Sequence, residues 1–187
     1  MPVNVRRAQM QDTEAISRIH VDTWKSTYRG IVPYKFLDGM SYSRSKEMWD
    51  NRLIDDEDPT AVFVAEAETG SLVGFVSCGP ARGPKQGYDG ELYAIYVSQQ
   101  MQRAGVGKML VLAAIRDLRV RGYESMVAWV LGDNPFRRFY ESLGGEPALK
   151  KEVVISGKKL EETGYGWKSL SVLTAKLEEH HRGSHMM

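Results

Sequence analysis

Residues Val97 to Gly107, VSQQMQRAGVG, decide how the rest of this chain is read. A strand-like run, ELYAIYV, leads into them, and a helical pattern opens directly behind Gly105. Gly105 and Gly107 remove side chains where main-chain N–H groups must approach an anion, and glycine reaches the positive φ that a tight anion-cradling turn needs. The first amides of the helix add unpaired donors and the positive end of its dipole. A glycine pair before a helix is by itself commoner as plain turn chemistry, so a second motif has to decide.

That second motif lies downstream of another apolar run, SMVAWVL, as Asn134-Pro135-Phe136-Arg137-Arg138-Phe139-Tyr140-Glu141-Ser142-Leu143-Gly144-Gly145. Together, Gln102-Arg103-Ala104-Gly105-Val106-Gly107 and this segment resemble the two motifs of the GNAT superfamily of N-acetyltransferases, in the same order and spacing. The resemblance extends more loosely over about residues 3 to 170 and includes the late LEETGYGW run. It departs at Gln99, where proline is common, and at Arg137, where alanine is common. It implies a sheet whose strands before the two motif helices splay apart, with acetyl-CoA as the acyl donor in the gap. Gln102, Arg103, Ala104, Gly105, Val106, Gly107 and Lys108 then hold the pyrophosphate or the adenosine phosphate, and no metal is required.

Outward from this centre, strands and helices alternate without a linker or an internal repeat. Val3 to Arg7 forms a short strand, and Asp12 is expected to cap a helix reaching about Lys25, with Ile16, His20 and Trp24 on one face. Between Tyr28 and Leu53, Gly30, Pro33 and Gly39 interrupt an aromatic stretch, giving a kinked connection and a second helix. Ala61 to Glu66 and Leu72 to Cys78 flank a Glu68-Thr69-Gly70-Ser71 turn as a hairpin. The polar loop from Gly79 to Gly90 is a candidate substrate border. The strand Glu91 to Val97 and the helix Val106 to Arg121 follow, the latter closed by Gly122. Ser125 to Leu131 is a strand, Pro135 to Leu143 a helix with proline in its first turn, and runs at 153–156 and 160–168 close the sheet. The order βααβββαβαββ is that of an α/β protein, a mixed and mostly antiparallel sheet flanked by helices. One domain over residues 1–172 is expected, with 173–187 as a tail whose His180-His181-Arg182-Gly183-Ser184-His185-Met186 reads as tag sequence.

Amine acetylation sets the remaining roles. An alkyl ammonium with a pKa of about 10.4 must lose a proton before it attacks a thioester. Glu91 is the candidate base, equally readable as a strand-end carboxylate paired with Lys or Arg, and Asp89 is its nearest competitor. In a splayed strand the backbone N–H groups of Ile95 or Val97 serve the developing oxyanion. Tyr140 matches the tyrosine that protonates the departing thiolate, and Asn134 either caps the helix after it or also reaches the pantetheine arm. Trp24, Tyr28 and Trp167 are expected to line the acceptor pocket, with Phe36 and Tyr165 as further aromatics of the same group; ordinary core packing is the alternative. His20 and Cys78 read as core residues.

The bulk composition excludes more than it adds. Its 25 basic and 24 acidic residues give a net charge of +1, with no nucleic-acid footprint and no membrane face. One cysteine excludes an intrachain disulfide, and no apolar stretch approaches the roughly 18 residues of a membrane span. With no secretory signal, a cytoplasmic address is the default. The expectation is an N-acetyltransferase acting on a primary amine of a small molecule. A protein or peptide N-acetyltransferase and a non-catalytic acyl-CoA sensor stay open, as does a homodimer.

Overall fold

The computed structural model describes residues 2–55, 57–83 and 87–183. Its strands are β1 Val3–Arg7, β2 Ala61–Ala67, β3 Leu72–Pro80, β4 Gly90–Val97, β5 Met126–Leu131, β6 Glu146–Ile155 and β7 Lys158–Trp167. Its helices are α1 Thr13–Thr27, α2 Tyr34–Asp38, α3 Tyr42–Ile54, α4 Val106–Val120, α5 Arg137–Ser142 and α6 Leu170–Gly183. Among the described residues the strands form one seven-stranded sheet in the order β1-β2-β3-β4-β5-β7-β6, in which only β4 and β5 run parallel. The sheet is the mixed, mostly antiparallel one expected, flanked by helices on both faces. No described helix is long and apolar enough to cross a membrane. Pro84, Lys85 and Gln86 of the expected substrate-border loop, and residues 184–187 of the His-rich terminus, lie outside the described residues.

Two cores sit on opposite faces of the sheet. Leu110, Ala114 and Leu118, four residues apart on α4, pack against Val76, Leu92, Met126 and Ala128. On the other face Ile16 and Ile19 of α1 and Trp49 of α3 cover Val62, Val64 and Phe75. Burying such side chains contributes about 1.5–3 kcal/mol each, which fixes the strand faces. A third cluster joins α1 and α2 to the β6–β7 hairpin through Tyr28, Val32, Leu37, Leu131 and Leu160.

The structure departs from the sequence reading where polar or short segments hide the pattern. Asp12 does not cap α1; its carboxylate accepts from Gln9 N at 2.7 Å and from Arg6 at 2.7 and 2.9 Å. Those Arg6 hydrogen bonds hold the Asp12 carboxyl below its usual range. The connection after α1 contains an additional short helix, α2. Strand β6 starts at Glu146, because an edge strand with mostly exposed side chains carries no apolar signal. Helix α6 takes up the expected tail: Leu170, Leu173 and Leu177 are buried in the α4 core, and Arg116 pairs with Glu178 at 2.6 Å.

Candidate active site

After Val97 the backbone makes one 3-10 turn, Gln99–Met101, then turns left-handed at Arg103 (φ 63°) and Gly105 (φ 84°) before α4 begins. The amides of Arg103, Ala104, Gly105, Val106 and Gly107 donate to no carbonyl or side chain among the described residues, whereas Lys108 and Met109 both donate to Gly105 O. A row of free N–H groups at the positive end of a helix is an anion cradle. Arg103 and Lys108 flank it, exposed and without an ion pair among the described residues. The two glycines serve different ends. A Cβ at Gly105 would meet nothing, so the left-handed φ is its reason. At Gly107 a Cβ would stand 3.1 Å from the Phe139 ring, so this glycine also admits the close approach of α5.

The cradle opens onto a gap between β4 and β5. These strands pair only at Gly90–Met126, Glu91–Val127 and Leu92–Ala128. The next residue, Tyr93, is extra in the β3–β4 register, and such a bulge bends and twists its strand. Burial follows the divergence: Gly90, Glu91 and Leu92 are buried, while Tyr93 to Val97 are half-buried. Ser98 N donates to Val73 O of β3, so strand alternation turns the amides of Val97 and Ile95 away from β3 and into the gap. The Val97 carbonyl is taken by Gln102 Nε2 at 3.2 Å; Gln102 thus closes the end of the gap.

Aromatic side chains line the open end. Trp24 Nε1 donates to Tyr96 Oη at 2.7 Å, and the Trp24 ring lies 4.7 Å from Tyr28 and 5.8 Å from Phe36. Burial pushes the Tyr28 phenol up to about 12, and burial also raises Tyr96 and Tyr140. After burial, Tyr28, Tyr140 and Glu162 add to the rise at Tyr96, Tyr28 and Tyr165 to that at Tyr140, and Glu162 to that at Tyr28. Tyr140 stacks on Tyr165 at 5.7 Å, and its hydroxyl has no hydrogen-bond partner among the described residues. Asn134 is buried with both ends of its amide engaged: Oδ1 accepts from Phe136 N at 2.8 Å and Nδ2 donates to Tyr28 Oη at 3.0 Å. That turn delays α5 to Arg137.

Other expected residues lie elsewhere. Trp167 is not with Trp24 and Tyr28. It pairs with Met126 at the closed end, donates Nε1 to Leu143 O at 3.2 Å and packs over Gly145, where a Cβ would stand 2.6 Å from its ring. It is a core residue because the pleat turns it toward α4. Glu91 is also at the closed end, 2 % exposed, with Arg82 N donating to Oε2 at 2.8 Å and the guanidinium to Oε1 at 2.6 and 3.2 Å. Arg82 in turn lies 4.2 Å over the Tyr93 ring. The Asp89 carboxylate accepts from Glu124 N. Cys78 is buried against Ala114 O, with burial pushing its thiol up to about 12. His20 packs between Trp49, Phe75 and Tyr96, bonds Ser45 Oγ at 3.2 Å and is held down to about 4 by burial. Among the described residues no group of His, Cys, Asp and Glu is arranged for a metal ion.

A family model described as "Acetyltransferase (GNAT) family" matches residues 18–144. The chain belongs to the GNAT acetyltransferase family. As a GNAT protein it is an acyl-CoA-dependent N-acetyltransferase. It is 39% identical over 175 residues to the uncharacterized N-acetyltransferase YuaI of Bacillus subtilis (strain 168), covering 94% of this chain and 98% of that one. Phosphinothricin N-acetyltransferase of Streptomyces viridochromogenes is 27% identical over 150 residues, 76% of this chain and 74% of the relative. The PaiA N-acetyltransferase of Thermoplasma acidophilum, solved in complex with coenzyme A, superposes with a TM-score of 0.68 at 19% identity, covering 90% and 99% of the two chains. This GNAT site also holds residues that sequence reasoning missed. Tyr96 of β4, Trp129 of β5, Lys151 of β6 and Glu162 of β7 come from four strands, and no local spacing links them.

Proposed function

We propose that this GNAT protein transfers the acetyl group of acetyl-CoA directly to a primary amine of a small molecule. The observation that carries this reading is the walled mouth of the gap. Tyr28, Val32 and Leu37 pack on Leu131 and Leu160, Val153 and Ile155 join the same cluster, and Lys158 Nζ donates to Ile31 O at 2.7 Å. The α1–α2 segment is thereby fastened to the β6–β7 hairpin, which favours a pit walled by Trp24, Tyr28 and Tyr96 over a groove that a peptide crosses. One relative is named for phosphinothricin, and a structural neighbour holds coenzyme A, both in keeping with this reading.

The free amides, the unpaired strand edge and the partnerless Tyr140 hydroxyl fit such a donor in sequence. When bound, acetyl-CoA supplies a thioester and, on acyl transfer, a thiolate leaving group. The amides of Arg103 to Gly107 hold its pyrophosphate, assisted by Arg103 and Lys108. The Ile95 and Val97 amides donate along the gap, where negative charge develops on the acyl oxygen. Tyr140 stays a neutral donor across the physiological range because burial raises its phenol. A thiol has a pKa near 8.5, so complete transfer from this phenol is uphill, and its contribution is a hydrogen bond to the departing sulfur.

Thermal melts and a mass-based acceptor screen test the two halves. CoA and acetyl-CoA are expected to raise Tm, while ATP and NAD at equal concentration do not. Gly105→Val abolishes the shift and lowers turnover by about 100-fold or more, since a β-branched residue does not accept this left-handed φ and the cradle moves. Equal stabilisation by ATP removes the cofactor assignment; acetylation confined to peptides with free α-amines removes the small-molecule acceptor.

A further inference from the structure

Deepening the small-amine reading on which it rests, we propose that Glu162 is the carboxylate that receives the acceptor's ammonium group, with Lys151 beside it as the cation that eases loss of the proton. Strand β5 has a carboxylate beside each of its ends, one on β4 and one on β7. Glu91 lies where the strands are still paired and gives its oxygens to Arg82. Glu162 lies on β7 opposite Leu131, the last residue of β5, where the strands have parted. Met126, Ala128 and Val130 face the α4 core, so the pleat puts Val127, Trp129 and Leu131, and with Leu131 its partner Glu162, on the opposite face, the one that carries Tyr28. The Glu162 side chain is 20 % exposed and among the described residues holds one ion pair, to Lys151 Nζ at 3.2 Å.

Hydrogen-bond bookkeeping in the mouth leaves Glu162 this task. An indole N–H only donates, so Tyr96 Oη accepts from Trp24, and Tyr28 Oη likewise accepts from the Asn134 amide nitrogen. Both phenols therefore turn O–H donors to the site, and an ammonium needs acceptors. Glu162 provides a charged one, on the sheet face that carries Tyr28. Lys151 lies 4.0 Å over the Trp129 ring, which holds its ammonium beside the carboxylate. A second cation that close disfavours the charged form of a bound amine. The charged group paired with Glu162 is Lys151 of β6, and Tyr28 at the end of α1 shares a cluster with Leu131, the register partner of Glu162. In the step itself the ammonium gives one proton to the Glu162 carboxylate, the freed lone pair forms the N–C bond, the C–S bond breaks, and sulfur leaves with its electron pair and takes the second nitrogen proton to become the thiol.

The test follows thiol release from acetyl-CoA with cadaverine, phenethylamine and glycinamide as probes, using the full chain. For whichever amine the wild type turns over best, Glu162→Gln is expected to lower kcat/KM by about 100-fold near neutral pH and to recover toward about pH 10, where free amine is abundant. The CoA-induced Tm shift stays unchanged, which separates this loss from misfolding. Lys151→Met moves the acid limb of the pH profile to higher pH, and Lys151→Arg keeps it in place. Glu161→Gln, on the opposite face of β7 and paired with Lys150, is the control that leaves turnover unchanged. A Glu162→Gln profile parallel to and within about three-fold of the wild type overturns the assignment. A wild type that binds CoA and turns over none of the amines removes the small-amine reading and this assignment with it.

Discussion

Along a single seam the molecule builds two different environments. From Gly90 to Leu92, β4 and β5 are hydrogen-bonded neighbours, every residue of that stretch is buried, and the polar groups present are tied to protein partners. Beyond the Tyr93 bulge the strands lack each other, side chains are half-buried, and the outward Ile95 and Val97 amides and the Tyr140 hydroxyl are available to a ligand. The closed end resembles a core with one satisfied ion pair, and the open end a site with unspent hydrogen-bonding capacity. A buried polar group left unmatched costs free energy, so it persists where a ligand or water completes it.

The largest effect that tests this division comes from the open end. Tyr140→Phe removes a hydroxyl that no described residue uses, so steady-state kinetics are expected to show kcat lowered by about 100-fold while acetyl-CoA affinity and Tm stay level. A fall in Tm with unchanged kcat would mean that Tyr140 is a packing residue and that the division fails there.

A second experiment probes the framework that supports Tyr96. His20 is held near 4 in the folded protein against 6.5 unfolded, so on acidification the unfolded chain takes up its proton first. Its contribution is complete above pH 6.5 and erodes as pH falls toward about 4, by about 2 kcal/mol once partial solvent access to the ring is discounted. Urea melts should show wild-type stability falling through that window and the His20→Gln curve falling less. Parallel curves would show that the ring is solvated.

The smallest effect belongs to the closed end. Arg82→Ala leaves the Glu91 carboxylate with its backbone donor alone, costing about 1.5 kcal/mol and lowering Tm by about 3–6 °C. Turnover on a small amine should change little. A kcat loss as large as that of Tyr140→Phe would return Glu91 to the chemistry.

Contiguous stretches were legible before any coordinates. The cradle is one loop followed by one helix, and its free amides follow from Gly105 and from a helix start, both local facts. Strands β2 to β5 and helices α1 and α4 show their apolar period because they are buried on defined faces. Strand β6 showed only its apolar end at 153–156 because the rest of its exposed edge is charged, and α6 escaped because its buried leucines adjoin a polar tail.

The sequence by itself determined the fold class and the anion cradle, since both rest on short-range periodicity, glycine conformation and helix-end polarity. Only the tertiary structure decided the acceptor end. Trp24 and Trp167 read alike in the sequence, yet helix α1 brings Trp24 to Tyr96 at the mouth while sheet register sends Trp167 to the core. Glu91 and Glu162 are both strand carboxylates, and their difference comes from where β4 and β5 part and from which cation each meets, Arg82 or Lys151. Those contacts join residues far apart in the chain, and the pairing of strands that creates them is set by the packing of the whole sheet between its helices.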